Sequence, residues 1–94
     1  MAVYRITRFT SSDADKAISM AEGAREEVAA AGADFIDIVM DDDGNGVVVA
    51  KYPDAATMEV ATAVAMGVFG KMIAEGAIDA DSIDVWAGNV VASI

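Results

Sequence analysis

The chain has 94 residues, 55% of them hydrophobic, with a formal net charge of −10 and neither cysteine nor histidine. That length allows one small domain, residues 1–94, and the charge argues against binding nucleic acid or anionic membranes, which are bound through lysine and arginine. The two missing residue types exclude disulfides, thiolate nucleophiles, zinc sites built on cysteine or histidine, and acid–base catalysis by histidine.

The first third of the chain predicts a strand followed by a helix. Residues 2–10, AVYRITRFT, are rich in β-formers. Ser12 is expected to cap a helix of about residues 13–31, with Asp15 three positions on, as in a capping box. Apolar residues then recur at helical spacing, and Gly32 is placed to end the helix.

The rest of the chain predicts two strands, a second helix and a final strand. Their expected ranges are Phe35–Met40, Gly46–Tyr52, Ala55–Glu75 behind an Asp54 cap, and Ser82–Val91. The element order is therefore β-α-β-β-α-β. With right-handed crossovers, this order predicts an α+β, ferredoxin-like fold: a four-stranded antiparallel sheet with both helices on one face.

The link between the middle strands resembles the start of a calcium-binding loop. Asp41, Asp43 and Asn45 alternate, and Gly46 follows. However, the two later ligand positions of such a loop would be Val49 and Tyr52, which leaves too few oxygens for calcium. We therefore predict a hairpin turn with no specific metal; weak cation binding there is left open.

The strands indicate a partner, because they are apolar on both faces. The run Val47–Ala50 has no polar residue, and the second and fourth strands carry apolar residues on both sides. Two helices can cover only one face of a sheet, whereas a sheet with a solvated face alternates apolar and polar residues. A second sheet is the simplest cover, so we expect a homodimer.

The segment VVVAKYPDAATMEVA, Val47 to Ala61, carries a local resemblance to a known family. Tyr52 ends a strand two positions before the capping Asp54. In this pattern, and in element order over nearly all 94 residues, the chain resembles the dimeric α+β barrel superfamily, which includes antibiotic-biosynthesis-monooxygenase-like proteins. The resemblance implies two sheets closed into a barrel, helices outside it, and a possible ligand cavity between sheet and helices.

The resemblance also implies a chemistry. Quinone-forming monooxygenases of this family need no cofactor and use asparagine, tryptophan and arginine around an aromatic substrate, so no cofactor is expected. Haem-processing relatives are poor models, since this chain has no histidine. The candidate pocket residues are Tyr4, Arg8, Asp37, Tyr52, Trp86 and Asn89.

Each candidate also has a structural interpretation. Trp86 is either an aromatic wall for a flat substrate or a packing residue. Charges on a covered sheet must be paired, lie at a rim or line a wet pocket. An Arg8–Asp37 or Lys51–Asp84 pair would therefore either orient a ligand or stabilise the edge of a dimer interface.

The second helix, residues 55–75, is apolar over more than one face, and Gly67 and Gly70 would allow close approach of another backbone. It is expected to contact something besides its own sheet, such as a second dimer. Its longest apolar stretch, Val60–Gly70, is 11 residues, short of the roughly 20 needed to span a membrane. With no signal peptide apparent, the protein is expected to be cytoplasmic.

Two functions remain open from the sequence. The first is a barrel that binds a small apolar or aromatic compound, as a cofactor-independent monooxygenase-like enzyme. The second is a non-catalytic oligomeric module for binding or assembly. A nucleic-acid-binding ferredoxin-like domain is disfavoured by the charge and by strands without exposed stacking aromatics.

Overall fold

Four antiparallel strands and three helices form the computed structural model, which describes residues 2–94. The elements are β1 (Val3–Thr10), α1 (Ala14–Gly23), α2 (Arg25–Ala29), β2 (Phe35–Met40), β3 (Asn45–Tyr52), α3 (Ala55–Ala74), a 3₁₀ turn (Ala80–Ser82) and β4 (Asp84–Asn89). The strands are ordered β2-β3-β1-β4, each antiparallel to its neighbours. This is the ferredoxin-like arrangement predicted from the sequence.

The first helical region differs from its predicted form. Asp13, not Ser12, caps α1, because its carboxylate accepts a hydrogen bond from the backbone N–H of Lys16 at 3.1 Å. The single helix predicted for residues 13–31 is divided at Ala24 and ends at Ala29. Gly23 immediately precedes the division, and glycine weakens a helix interior. The break creates two short helices where one long helix was expected.

The later boundaries are closer to expectation. Asp54 caps α3 as predicted, accepting a hydrogen bond from the Thr57 N–H at 2.7 Å. The last strand is shorter than residues 82–91, because its pairing with β1 runs only from Asp84 to Asn89. Ser82 instead ends the 3₁₀ turn, where its hydroxyl accepts a hydrogen bond from the Thr10 N–H at 2.9 Å.

The hairpin between β2 and β3 is organised by the Asp41 carboxylate. One oxygen accepts hydrogen bonds from the Asp43 and Asn45 N–H groups, both at 2.9 Å. The other oxygen accepts from the Asn45 side chain at 3.1 Å. These bonds, led by that of the Asn45 side chain, lower the pKa of Asp41. Gly44 supplies the positive φ of +85° that the turn requires. The predicted hairpin is therefore confirmed.

The main hydrophobic core lies between one face of the sheet and the helices. On β1 and β3, alternate residues point into this core, and the residues between them in each strand point to the opposite face of the sheet. The buried members of this core are Phe9, Ala17, Val48, Ala65, Phe69, Met72, Ala77 and Ile78. Burying each phenylalanine contributes about 1.5–3 kcal/mol relative to leaving it in water.

The opposite face of the sheet, called here the open face, is covered by no helix among residues 2–94. Strand alternation and pairing place the following side chains on it: Tyr4, Ile6, Arg8, Phe35, Asp37, Val39, Val47, Val49, Lys51, Asp84 and Trp86. Trp86 is 61% exposed and Val39 is 58% exposed. The chain alone thus leaves a broad, mainly apolar surface in water, as the strand pattern predicted.

Helix α3 has an apolar outer side as well as a buried one. Ala61, Ala65 and Phe69 lie against the sheet, whereas Val60 is 67% exposed on the outside. By length and composition alone the 20-residue helix is long and apolar enough to cross a membrane. The sequence prediction used only the longest uninterrupted apolar run, which is shorter than the apolar helix in the structure. In the structure its inner side is part of the core.

Candidate functional site

A cavity of about 710 Å³ lies between the sheet and the helices. Its wall is mainly apolar: Phe9 and Val48 from the sheet, Phe69 and Met72 from α3, and Val28 from α2. Ile18 of α1 and Ile38 of β2 also line it, and both remain nearly half exposed. The cavity therefore opens to solvent between α1 and β2. It is shaped to hold an apolar molecule with access from one side.

Arg5 is the buried cation in the wall of this cavity. It is only 4% exposed on β1, and its Nη1 donates a hydrogen bond to the Thr62 hydroxyl of α3 at 2.7 Å. Its guanidinium lies 5.2 Å from the centre of the Tyr52 ring, in a cation–π arrangement. Across residues 2–94, the ion pair formed is Arg25–Glu22, so Arg5 has no carboxylate within 4.0 Å.

Two buried hydroxyl groups neighbour Arg5 without a hydrogen-bond partner in the described part of the chain. These are the hydroxyls of Thr7, on the same face of β1, and of Tyr52 at the end of β3. Burial raises the pKa of Tyr52, and the charge and the hydrogen-bonding groups of the nearby Arg5 side chain oppose this shift. Tyr52 therefore keeps its proton at neutral pH. Arg5, Thr7, Tyr52 and Thr62 together are called the Arg5 cluster below.

The raised pKa of Tyr52 predicts a loss of stability in alkali. Above the usual tyrosine pKa of 10.0, the unfolded chain gives up this proton more readily than the folded protein. The free energy of unfolding should therefore fall as pH rises above the usual tyrosine pKa. Urea unfolding of the wild type and of Tyr52→Phe across this pH range tests the prediction. Because Tyr52→Phe keeps only Tyr4, its free energy of unfolding should fall less steeply with pH. Identical slopes for the two proteins would contradict the assignment.

The six residues predicted for the pocket do not form one site. Tyr4, Arg8, Asp37 and Trp86 lie on the open face. Tyr52 is fully buried on the helix side of the sheet. Asn89 ends β4 opposite Val3 and is exposed at the sheet edge. Strand alternation explains the division, since neighbouring residues of a strand point to opposite faces.

Neither predicted charge pair is brought together. Arg8 lies opposite Asp84 across the β1–β4 pair, whereas Asp37 lies opposite Val49. Lys51 instead sits beside Tyr4, with its Nζ 6.0 Å from the ring centre. The strand register decides which charges face each other, and the sequence pattern did not specify that register.

The sequence analysis missed Arg5 as a cavity residue. Its signal was present in the alternation of β1, where Val3, Arg5 and Phe9 share a face. An arginine between two apolar core positions indicates a buried cation that needs a special environment. Arg8, the arginine predicted for the pocket, belongs to the other alternating set of β1 residues. It points to the open face and is exposed.

No protein-family model matches the chain, and no curated protein matches it. Solved structures do resemble it. The monooxygenase from the gene ActVA-Orf6 of Streptomyces coelicolor, in complex with nanaomycin D, has a TM-score of 0.73 and 11% identity, with 99% of this chain and 90% of that chain covered. SnoaB, a cofactor-independent oxygenase from Streptomyces nogalater, has a TM-score of 0.66 and 15% identity, with 99% and 96% covered.

A third similar structure is a dimeric ferredoxin-like protein from an uncultured marine organism, with a TM-score of 0.68, 14% identity, and 99% and 90% of the two chains covered. At such low identities these likenesses establish the fold alone. The resemblance predicted from the sequence is thereby confirmed: the chain has the fold shared by antibiotic biosynthesis monooxygenases and dimeric ferredoxin-like proteins.

Proposed function

We propose that this protein binds a compact, flat and largely apolar organic molecule in the cavity between the sheet and the helices. The observation that carries this proposal is the cavity itself. Its volume of about 710 Å³ falls within the roughly 300–1,000 Å³ typical of small-molecule sites. Its mainly apolar wall, which includes the buried cation of Arg5, matches the usual composition of such sites.

The chemistry that we propose is oxygenation of a phenolic ring without a cofactor. Two proteins of the same fold are described as a monooxygenase and a cofactor-independent oxygenase. For 1-naphthol the balanced reaction consumes one O₂ and yields 1,4-naphthoquinone and one water. One oxygen atom enters the ring, and the other leaves as water with the ring and hydroxyl hydrogens. The Arg5 guanidinium would stabilise the phenolate, the form that reacts with oxygen.

Oxygen uptake with 1-naphthol tests this activity. The enzyme function predicts one O₂ consumed and one quinone formed per naphthol, at a rate proportional to protein concentration. Calorimetric binding of naphthol without oxygen uptake would instead support the non-catalytic binding module. Absence of both binding and uptake would contradict the proposed function.

Filling the cavity should remove binding without unfolding the protein. Ala21 lines the cavity from α1 and is partly exposed, so a larger side chain there has room to enter the cavity. We expect Ala21→Phe to weaken naphthol binding at least about tenfold, which is about 1.4 kcal/mol. Ala56→Phe, on the exposed start of α3, is the matched control. Equal affinities of the two variants would contradict the location of the site.

We further propose that the open face is the interface of a homodimer. Its exposed apolar side chains, including Trp86 and Val39, support this assembly. A protein of the same fold is described as dimeric. Two such sheets packed face to face would cover the apolar surface that one chain leaves in water.

A second contact, between dimers, is proposed on the outer side of α3. Val60 and Met66 are exposed there, and Gly67 has open space around its Cα. We expect the wild-type protein to sediment above the mass of a dimer and Val60→Lys to sediment as a dimer. Two results together would show that this side of α3 faces water. They are a wild-type mass equal to that of a dimer, and a stabilisation of the protein by about 1 kcal/mol in Gly67→Ala.

A further inference from the structure

We propose that the Arg5 cluster is an anion subsite, which receives a carboxylate, phenolate or enolate oxygen of the molecule in the cavity. The inference rests on the proposed function, since it requires that the cavity binds a ligand. It adds to that function the chemical class of the ligand: an apolar body that carries one anionic oxygen.

The cluster has more donors than acceptors. A guanidinium carries five N–H donors, and in the described chain the Arg5 side chain gives one hydrogen bond, to Thr62. The Thr62 hydroxyl is itself committed, since it donates to the Met58 carbonyl at 2.8 Å. Arg5 is the member of the cluster that lines the cavity, and the buried hydroxyls of Tyr52 and Thr7, on the same face of the sheet, are two further donors without partners. An anionic oxygen is the acceptor that such a set of donors would bind.

No protein carboxylate neutralises the buried charge. Three acidic residues line the cavity: Glu22, which pairs with Arg25 at 3.6 Å, and Asp34 and Asp37, which form no ion pair within residues 2–94. Asp37 lies on β2, which is separated from β1 by β3, or about 10 Å across the sheet. A buried cation without a partner is unfavourable, so an incoming anion gains the interaction that the protein leaves unmade.

The position of Arg5 also sets the orientation and size of the ligand. Arg5 and Phe9 line the same cavity from one face of β1, four residues apart. Four residues of strand span about 13 Å. A molecule with its anionic oxygen at Arg5 therefore places its apolar body toward Phe9, Val48 and Phe69. A fused two-ring compound fills this distance better than a single ring.

Calorimetry with two probes of nearly equal shape tests the subsite. The probes are 1-naphthoate and the neutral 1-naphthylmethanol, titrated at neutral pH and fixed ionic strength. We expect the wild-type protein to bind naphthoate at least about tenfold more tightly than the alcohol. Arg5→Met, which keeps the length of the side chain and removes its charge, should lose this preference while still binding the alcohol.

Tyr52→Phe provides a second variant that does not depend on Arg5→Met being folded. It removes only a hydroxyl without a partner, and it should reduce the preference for naphthoate about threefold. Circular dichroism and thermal unfolding establish that each variant is folded. If Arg5→Met does not fold, an unchanged preference in Tyr52→Phe overturns the proposal.

The remaining outcomes separate the subsite from the cavity. Equal binding of both probes to the wild type overturns the anion subsite and leaves the cavity as a binding site. A naphthoate preference that survives in folded Arg5→Met also overturns the subsite. Binding of neither probe overturns the proposed function, and the subsite with it.

Discussion

In the Val60→Lys background, which lacks the proposed contact between dimers, Val49→Asp should convert the protein from a dimer to a folded monomer. Val49 lies near the middle of this face, opposite Ile6 on one side and Asp37 on the other. In a symmetric dimer each chain would bury a new carboxylate among apolar groups. Burying a charge without a partner costs several kcal/mol. At a cost of about 3 kcal/mol or more, the dissociation constant would rise at least about 100-fold.

Sedimentation equilibrium over a range of micromolar concentrations measures this change. Ser19→Asp in the same background is the control, since it adds the same charge at an exposed position of α1, away from both proposed contacts. We expect the control to keep the dimer mass of Val60→Lys, and Val49→Asp to fall to the mass of a monomer while retaining its far-ultraviolet circular dichroism. A wild-type protein that is already a monomer, or a Val49→Asp variant of unchanged mass, would contradict the dimer.

Gly46→Ala should destabilise the fold strongly, although it adds a single methyl group. Gly46 faces the core from β3, opposite Phe9 on β1. A Cβ at this position would lie 2.2 Å from Cζ of the Phe9 ring and under 3.0 Å from both Cε atoms. The ring cannot retreat freely, because Phe9 is buried in the main core. We expect a loss of about 2–3 kcal/mol in the free energy of unfolding, near the upper end of the usual cost of overpacking.

Urea unfolding at a fixed protein concentration measures this loss, since the stability of an oligomer depends on concentration. Gly23→Ala is the matched control: the same change at the end of α1, where nothing lies within 4 Å of the added Cβ. We expect the control to stabilise the protein by about 0.5–1 kcal/mol. Equal effects of the two substitutions would mean that Phe9 does not cover Gly46.

The sequence predicted the structure correctly wherever a single local feature, such as a helix cap or a turn glycine, determines the backbone. The Asp54 cap, the turn around Gly44 and the strand Phe35–Met40 all agree with their predicted positions. The first helix was not predicted correctly. Its apolar spacing continues past Gly23, whereas the helical backbone is interrupted at Ala24. The last strand ended early because pairing with β1, which depends on distant residues, determines its length.

The site was less predictable, because it depends on register and on the face to which each side chain points. Residue type alone predicted Trp86 and Arg8 for the pocket, and both lie on the open face. Only the alternation of buried and exposed residues along β1 distinguishes Arg5, on the buried face, from Arg8, on the open face. The gap between the sheet and the helices arises from tertiary packing, for which the sequence carries no local signal.

The most direct test of this account is a crystal structure of the protein with 1-naphthoate bound. The account predicts the naphthalene ring in the cavity against Phe9 and Phe69, on the helix side of the sheet. The carboxylate should lie within about 2.7–2.9 Å of an Arg5 nitrogen. Naphthoate bound on the open face beside Trp86, or a cavity filled by side chains in the complex, would contradict it.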